Sequence, residues 1–302
     1  MIKRELHMEY FKIKGEYPHL SGTALTLGKF DGIHRGHQKL VSHVLEKKQE
    51  GKKAVLFSIE ASDRLILSHE ERAAMLEDMG LDVLIECPLD DKFRRMKADV
   101  FVREILVGDL GAECVTVGED FRFGFERKGN PELLLRLGAK YGFQTIVVPR
   151  MMDAHRKISS TYIREELKRG NMEKVGQLMG ACFYATGKVT HGMGLGHRRL
   201  LPTINLIPPA EKLMPPHGVY FTRTWIAGRT YEGITNVGIK PTVGENMVGI
   251  ETYLFDCKED LYGLPCKVEF LHFSRREERF DSLDALRCQL FEDVRAGRLY
   301  FE

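Results

Sequence analysis

The spacing of apolar residues changes once along the chain, and that change does most to limit what it can fold into. From Thr23 to about residue 150, short β-branched or apolar runs ("TALTL", "AVLFSI", "DVLIE", "ECVTV", "TIVVP") alternate with segments whose apolar residues recur three and four apart. That alternation predicts an α/β domain, a parallel sheet covered by helices. Its first helix is expected near Gly36 to Lys48, with Leu40, Val41, Val44 and Leu45 on one face and a stop at Gly51. The second is expected to start at Ser68, where Glu71 three residues on completes a capping box. After Gly180 the helical period disappears, and "FYATGKVTH", "GVYFTRTWI", "YEGITNVGI", "GIETYLFD" and "KVEFLHF" follow one another between Gly and Pro turns. This predicts an antiparallel β domain, barrel or sandwich. A C-terminal helix from Ser282 is expected to bury Leu283, Leu286, Leu290 and Val294. The predicted domains are 1–180 and 181–302.

Composition narrows the function classes. A chain of 302 residues with 43% hydrophobic content can build two separate cores. Its 45 basic and 43 acidic residues leave a net charge of +2, which offers no general affinity for nucleic acid. The N-terminal stretch lacks a signal-peptide core of about 7 to 15 apolar residues, and no run of about 18 spans a bilayer, so a cytoplasmic protein with no membrane partner is expected. Six widely spaced cysteines without a CxxC pair suit reduced thiols better than disulfides or zinc.

In a parallel sheet, ligands bind where strands end, so the turn leaving the first run draws attention. There "GKFDGIHRGH" combines Gly28 and Gly32, which let the backbone bend around a ligand, with His34 and His37 before a helix whose free N–H groups suit an anion. Two histidines three apart are also ordinary solvated polar residues, and their spacing alone does not decide. Further on, "VGEDFRFGFERKGN" joins Asp120, Arg122, Arg127 and Lys128 to Phe121, Phe123 and Phe125. With Phe143 these aromatics suggest a flat ligand, against the plainer reading of a solvated loop. "ISSTYIREELKRG" sets Ser159, Ser160 and Thr161 at a helix start with Arg164 one turn on, to cap the helix or to hold phosphate.

The β half carries "GKVTHGMGLGHRRLLPTINL". Its glycine loop, Gly192 to Arg199, can cradle phosphates through backbone N–H groups or be simply flexible. Thr203 and Asn205 alternate along a strand, face the same side, and can jointly offer oxygens to Mg2+.

In this order the stretches resemble the bacterial bifunctional riboflavin kinase/FAD synthetases, members of the HxGH nucleotidylyltransferase superfamily. The resemblance implies a Rossmann-like adenylyltransferase domain, a riboflavin kinase-like antiparallel β-barrel with a C-terminal helix, and riboflavin, FMN, FAD and ATP as partners. By it, His34 and His37 hold the phosphates of ATP, with Gly28, Phe30, Asp31, Gly32, Ser160, Thr161 and Arg164 also contacting the nucleotide. Asp120, Phe123 and Arg127 fall in the flavin and nucleotide site. In the kinase half Gly192, Gly194, Gly196, Thr203 and Asn205 bind Mg-ATP, and Glu251 is the general base toward the riboflavin 5′-hydroxyl. Two stretches depart from the family pattern. "FSIEAS" (57–62) stands where FDPHP is common, and "GHRRLLPTIN" stands for GRxxGFPTAN, with His197 for arginine and Leu200 and Leu201 for the glycine and aromatic. If that glycine needs positive φ, leucine costs on the order of 1 to 2 kcal/mol. The rival readings are therefore an FMN adenylyltransferase with an impaired kinase half and a non-catalytic flavin-binding regulatory protein.

Overall fold

Strands buried on both faces need backbone partners on both edges and apolar side chains above and below, and the first half of the chain supplies them. The structure, a computed structural model, describes residues 7–60, 63–190, 201–242 and 245–302. Contacts divide the chain into two compact units between Ser159 and Ser160.

The first unit runs β1 (Glu9–Lys12), β2 (Thr23–Gly28), α1 (Arg35–Lys48), β3 (Lys53–Glu60), α2 (His69–Asp78), β4 (Val83–Pro88) and α3 (Asp91–Arg94). A short helix, α4 (Ala98–Val100), continues into a π-wound stretch, Phe101–Asp109. Then come β5 (Ala112–Gly118), α5 (Pro131–Tyr141), β6 (Gln144–Val148) and a small hairpin of β7 (Met152–Asp153) and β8 (Arg156–Lys157). Six parallel strands lie in the order β1-β4-β3-β2-β5-β6. The chain builds outward from β2 to β3 and β4, then returns to the other side of β2 with β5. That reversal opens a crevice at the carboxyl ends of β2 and β5, where this architecture accommodates ligands.

On one face Leu25, Leu27, Val55, Phe57, Val115 and Val117 pack with Phe101, Ile105 and Leu134. On the other, α1 buries Leu40, Val41 and Val44, while Leu45 is only half-buried. The capping box at α2 is present: Glu71 N–H donates to Ser68 Oγ at 3.2 Å and Ser68 N–H to Glu71 Oε2 at 2.9 Å. Strand β1 went unpredicted because "EYFK" is an edge strand with mostly exposed, charged positions, which carries little apolar signal.

The second unit opens with α6 (Ser160–Arg169) and α7 (Met172–Met179), followed by β9 (Phe183–Lys188), β10 (Ile204–Leu206), β11 (Gly218–Ile226), β12 (Arg229–Thr242), β13 (Glu245–Leu254), β14 (Pro265–Arg276) and α8 (Leu283–Phe301). The strands are antiparallel in the order β10-β13-β12-β11-β14-β9. The two outer strands approach each other where Thr190 N–H donates to the Asn205 carbonyl at 2.8 Å, so the sheet curls into a barrel. Inside, the hydroxyls of Thr222, Thr235 and Thr252 form a chain at 2.7 and 2.8 Å, which satisfies polar groups that are almost fully buried.

Contacts group α6 and α7 with the barrel strands, where Glu173 of α7 pairs with His272 of β14 at 2.6 Å. One expectation is corrected here. Leu283 is 62% exposed, and the residues α8 buries are Asp293 and Gly297. The seat of α8 combines a polar anchor, where Arg275 clamps Asp293 through two bonds of 2.8 and 2.6 Å, with an apolar patch where Val294, as expected, and Phe301 pack partly buried against Val219, Phe221, Ile234 and Phe255. A Cβ at Gly297 would stand 2.8 Å from Ile234 Cγ2 and 3.0 Å from Phe255 Cζ, so only glycine allows the helix this close. Gly297→Ala is therefore expected to lower stability by about 1 to 3 kcal/mol, read as a reduced urea midpoint at unchanged slope.

Candidate functional site

The turn from β2 to α1 is folded around the fully buried side chains of Phe30 and Ile33. Phe30 is fully buried, and its ring centroid lies 4.8 Å from that of His37. The Phe30 ring therefore supports the histidine from below. Asp31 Oδ1 accepts the Ile66 N–H at 2.7 Å, fastening the turn to the segment before α2. Gly32 has φ +89°, and a Cβ there would meet Ile66 Cδ1 at 3.1 Å. Conformation and space both demand glycine.

His34 is the N-cap of α1, and its Nδ1 accepts the His37 N–H at 3.2 Å. That bond leaves the ring proton of neutral His34 on Nε2. The two imidazoles stack with centroids 3.6 Å apart and 16° between planes. Burial, then the charge of Lys157, pushes His34 down to about 4. Burial, the stacked His34, Lys157 and Arg72 hold His37 well below its ordinary value. His37 keeps an exposed edge, but its Nδ1 is enclosed and has no hydrogen-bond partner among the described residues. At neutral pH the pair is two uncharged rings at a helix start, able to donate N–H groups to an anion.

Across the crevice, the turn after β5 presents Asp120, and β8 presents Lys157, whose Nζ donates to Asp120 Oδ2. Burial pushes the Asp120 carboxyl up, and the Lys157 bond outweighs it, so the group stands below its ordinary value. Lys157 escaped the sequence reading; its only signal is a cation directly before "ISST". The phenylalanines of this region differ in burial. Phe123 and Phe143 are 5% exposed in the core, with Phe123 stacked on Phe121 at 5.5 Å, while Phe125 faces outward. Apolar burial explains most of the phenylalanines in this loop. Arg127 is exposed on a turn with φ 57°. Ser160, Thr161 and Arg164 occupy the first turns of α6, in the second compact unit.

Beside the crevice lies a buried charge cluster. Arg72 bonds Glu86 and, at 2.9 Å, Glu60; His69 Nδ1 lies 2.9 Å from Glu86 Oε2, and Tyr10 Oη donates to the same oxygen at 2.5 Å. The departure "FSIEAS" finds its place here: Ser58 Oγ donates to Glu60 Oε1 at 2.7 Å, while residues 61 and 62 lie outside the described residues. Burial pushes Glu86 up, and the His69, Arg72 and Tyr10 bonds more than reverse that, bringing it to about 2.

In the barrel, Thr203 Oγ1 donates to Glu251 Oε1 at 2.7 Å. Register sets Asn205, Glu251 and Asn236 side by side across β10, β13 and β12, on one face of the sheet. Asn236 Nδ2 continues the row to Glu277 Oε1 at 3.1 Å. A cavity of about 320 Å³ opens beside Thr203, lined by Pro202, Leu254, Cys257, Asp260 and Tyr262. Gly192, Gly194 and Gly196 lie outside the described residues, as do His197 and Leu200.

Comparison with known proteins accounts for both halves. The FAD synthetase family model matches residues 17–162 and the riboflavin kinase family model residues 179–301. The chain is 33% identical to a bifunctional riboflavin kinase/FMN adenylyltransferase of Haemophilus influenzae, over 93% of this chain and 95% of that one. It is 34% identical to the protein of the same description from Buchnera aphidicola, over 93% and 94%. The crystal structure of a macrolide-efflux protein from Streptococcus pneumoniae superposes with a TM-score of 0.85 at 29% identity, covering 96% of this chain and 99% of that one. Among the described residues, no helix of this chain is long and apolar enough to cross a membrane.

The depressed groups predict an acid profile in two steps, an upper one from the histidines and a lower one from the carboxylates. His34, at 6.5 ordinarily and about 4 in the fold, contributes fully above 6.5 and loses its share as pH falls toward 4. Glu86, at 4.5 ordinarily and about 2 in the fold, loses its share as pH falls from 4.5 toward 2. Urea unfolding across pH is expected to show a smaller upper step in His34→Gln, the remainder belonging to His37, which is also held low, and a smaller lower step in Glu86→Gln.

Proposed function

The chain belongs to the bifunctional riboflavin kinase/FMN adenylyltransferase family, and from that membership we infer that it converts riboflavin and ATP to FMN and then FMN and a second ATP to FAD and pyrophosphate. The observation that carries the reading is the presence in one chain of two unlike phosphate-handling arrangements. One is the stacked neutral histidine pair at a helix start; the other is the Thr203–Glu251–Asn205 row on a barrel strand.

Adenylyl transfer needs no protein nucleophile. An oxygen of the FMN phosphate attacks the α-phosphorus of ATP, the bond to the β-phosphate oxygen breaks, and its electron pair leaves with pyrophosphate. His34 and His37, uncharged and donating, stabilise the charge that accumulates there, with the α1 N–H groups behind them. Gly28 and Gly32 shape the turn, and Asp120 and Arg127 are assigned to the flavin and nucleotide side. The ATP contacts of Ser160, Thr161 and Arg164 rest on the family motif, and on that basis the transferase domain is taken as 1–180 and the kinase as 181–302.

In the kinase half, Glu251 accepts the proton of the riboflavin 5′-hydroxyl as that oxygen attacks the γ-phosphorus. Thr203, which donates its proton to Glu251, keeps its oxygen lone pairs free, and the Asn205 side-chain carbonyl is a second hard oxygen. This donor set fits Mg2+, which would supply charge neutralisation on the ATP phosphates, with Thr203 and Asn205 holding it. The carboxylate held against the hydroxyl speaks against a barrel that only binds flavin, since binding requires no base. A cytoplasmic location accompanies this reading.

Incubation of the protein with riboflavin and Mg-ATP, with the flavins resolved chromatographically, is expected to yield FAD. FMN alone would remove the transferase assignment, and FAD from supplied FMN but never from riboflavin would remove the kinase. His37→Ala is expected to slow FAD formation by about 10²-fold or more while FMN formation stays near normal. Glu251→Gln is expected to do the reverse by about 10²-fold or more.

A further inference from the structure

Three buried polar atoms lack a partner on the side of the parallel sheet that α1 covers. Strand residues alternating with Leu25, Leu27, Phe57 and Ile85 turn away from the core those four share, and toward the carboxyl ends of the strands they are Thr26, Ser58 and Glu86, all fully buried. Arg72 of α2 lies on this same face and is 1% exposed. Both its terminal nitrogens are occupied: one donates to Ser58 Oγ at 3.4 Å, and the other bonds Glu86 and, at 2.9 Å, Glu60. Its Nε–H has no hydrogen-bond partner among the described residues, and the same is true of Thr26 Oγ1 and His37 Nδ1.

These atoms are complementary. For His37 to donate its Nε2–H to a phosphate, Nδ1 must carry the lone pair, and a buried lone pair calls for a donor. The Nε–H of arginine can only donate and keeps its proton, whereas a threonine hydroxyl serves either way. The guanidinium stands near enough to the ring that its charge, after burial, His34 and Lys157, helps keep His37 neutral. One water molecule would satisfy all three, accepting from Arg72 Nε–H, donating to His37 Nδ1 and sharing a third bond with Thr26 Oγ1.

We propose that Arg72 is a positioning residue of adenylyl transfer, which through one buried water holds the proton of His37 on Nε2, the nitrogen left for a ligand. Glu60, Glu86 and Ser58 fix the guanidinium, and the guanidinium acts through His37 alone. His34 takes its tautomer from a backbone N–H and His37 takes its own from a buried cation, so the two rings are set by independent means.

The assignment rests on the adenylyltransferase reading, and ring-nitrogen NMR of the full chain separates the two because it needs no turnover. The His37 resonances are identified by their loss in His37→Gln. In the wild type at neutral pH they are expected to show the proton on Nε2 alone, and a crystal structure is expected to show a water within hydrogen-bonding distance of Arg72 Nε and His37 Nδ1. Arg72→Lys keeps a charge for Glu60 and Glu86 but puts a methylene where the Nε–H stands; Thr26→Val removes the hydroxyl and leaves the ion network intact. Each is expected to add a population of His37 with the proton on Nδ1. In Arg72→Lys, FAD formation from FMN and ATP is expected to slow by about threefold or more, with FMN formation from riboflavin within about twofold of wild type as the check on folding. A wild-type His37 with its proton on Nδ1, a dry site, or a tautomer that Arg72→Lys leaves unchanged, whatever Thr26→Val does, would overturn the Arg72 assignment alone. Failure of the wild type to make FAD from FMN and ATP would overturn the adenylyltransferase reading instead.

Discussion

One hydrogen bond organises the first site. When His37 N–H donates to His34 Nδ1, it closes the first turn of α1, fixes the tautomer of His34 and lays one imidazole on the other. A serine or aspartate would cap the helix equally well, but an imidazole accepts that bond on one ring nitrogen and can turn the N–H of the other toward a ligand. Everything beneath serves to hold these rings in place: Phe30 under His37, Gly32 against Ile66, and Asp31 tying the turn to the next segment. Polar reactivity is thus mounted on an apolar floor, and the floor keeps the rings uncharged.

The barrel solves a different problem. Its strands leave Glu251 between two amides by register alone, because directly opposed residues on antiparallel neighbours share a face. The hydroxyl chain of Thr222, Thr235 and Thr252 lets polar β-branched residues fill the interior without leaving a donor unpaired between them. A purely apolar filling would pack as well, so this polar choice has no reading from hydrophobic pattern.

What was legible in the sequence follows the same physics. Alternating apolar runs are a cooperative signal, and they located β2 to β6 and the long barrel strands. The capping box at Ser68 was legible because it is written within four residues. Strand β1 was hidden by its edge position, and the seat of α8 by its dependence on Arg275 and Gly297, which act through space. The burial of Phe30 and Phe123 was not legible, because local sequence does not tell whether an aromatic ring turns inward or outward. Lys157 was invisible for a third reason, since its meaning comes from Asp120, a residue far away in the chain. The local motifs named the two histidines, whereas the cation whose charge adds to burial in holding them neutral came only from the fold.

The assignment of α6 and α7 to the barrel unit bears on how such a chain could be taken apart. A fragment ending at 159 omits "STYIREEL", the stretch that the resemblance gives to adenylyl transfer. One ending at 180 keeps it but strips the β14 and β9 surface from α7, whose Met172, Val175, Leu178 and Met179 are buried in the intact chain. Neither cut yields a module with both its motif and its packing. Ser160–Arg169, which carries that stretch, packs on α7, and α7 packs on the barrel strands, so the fold of this segment is set within the second unit.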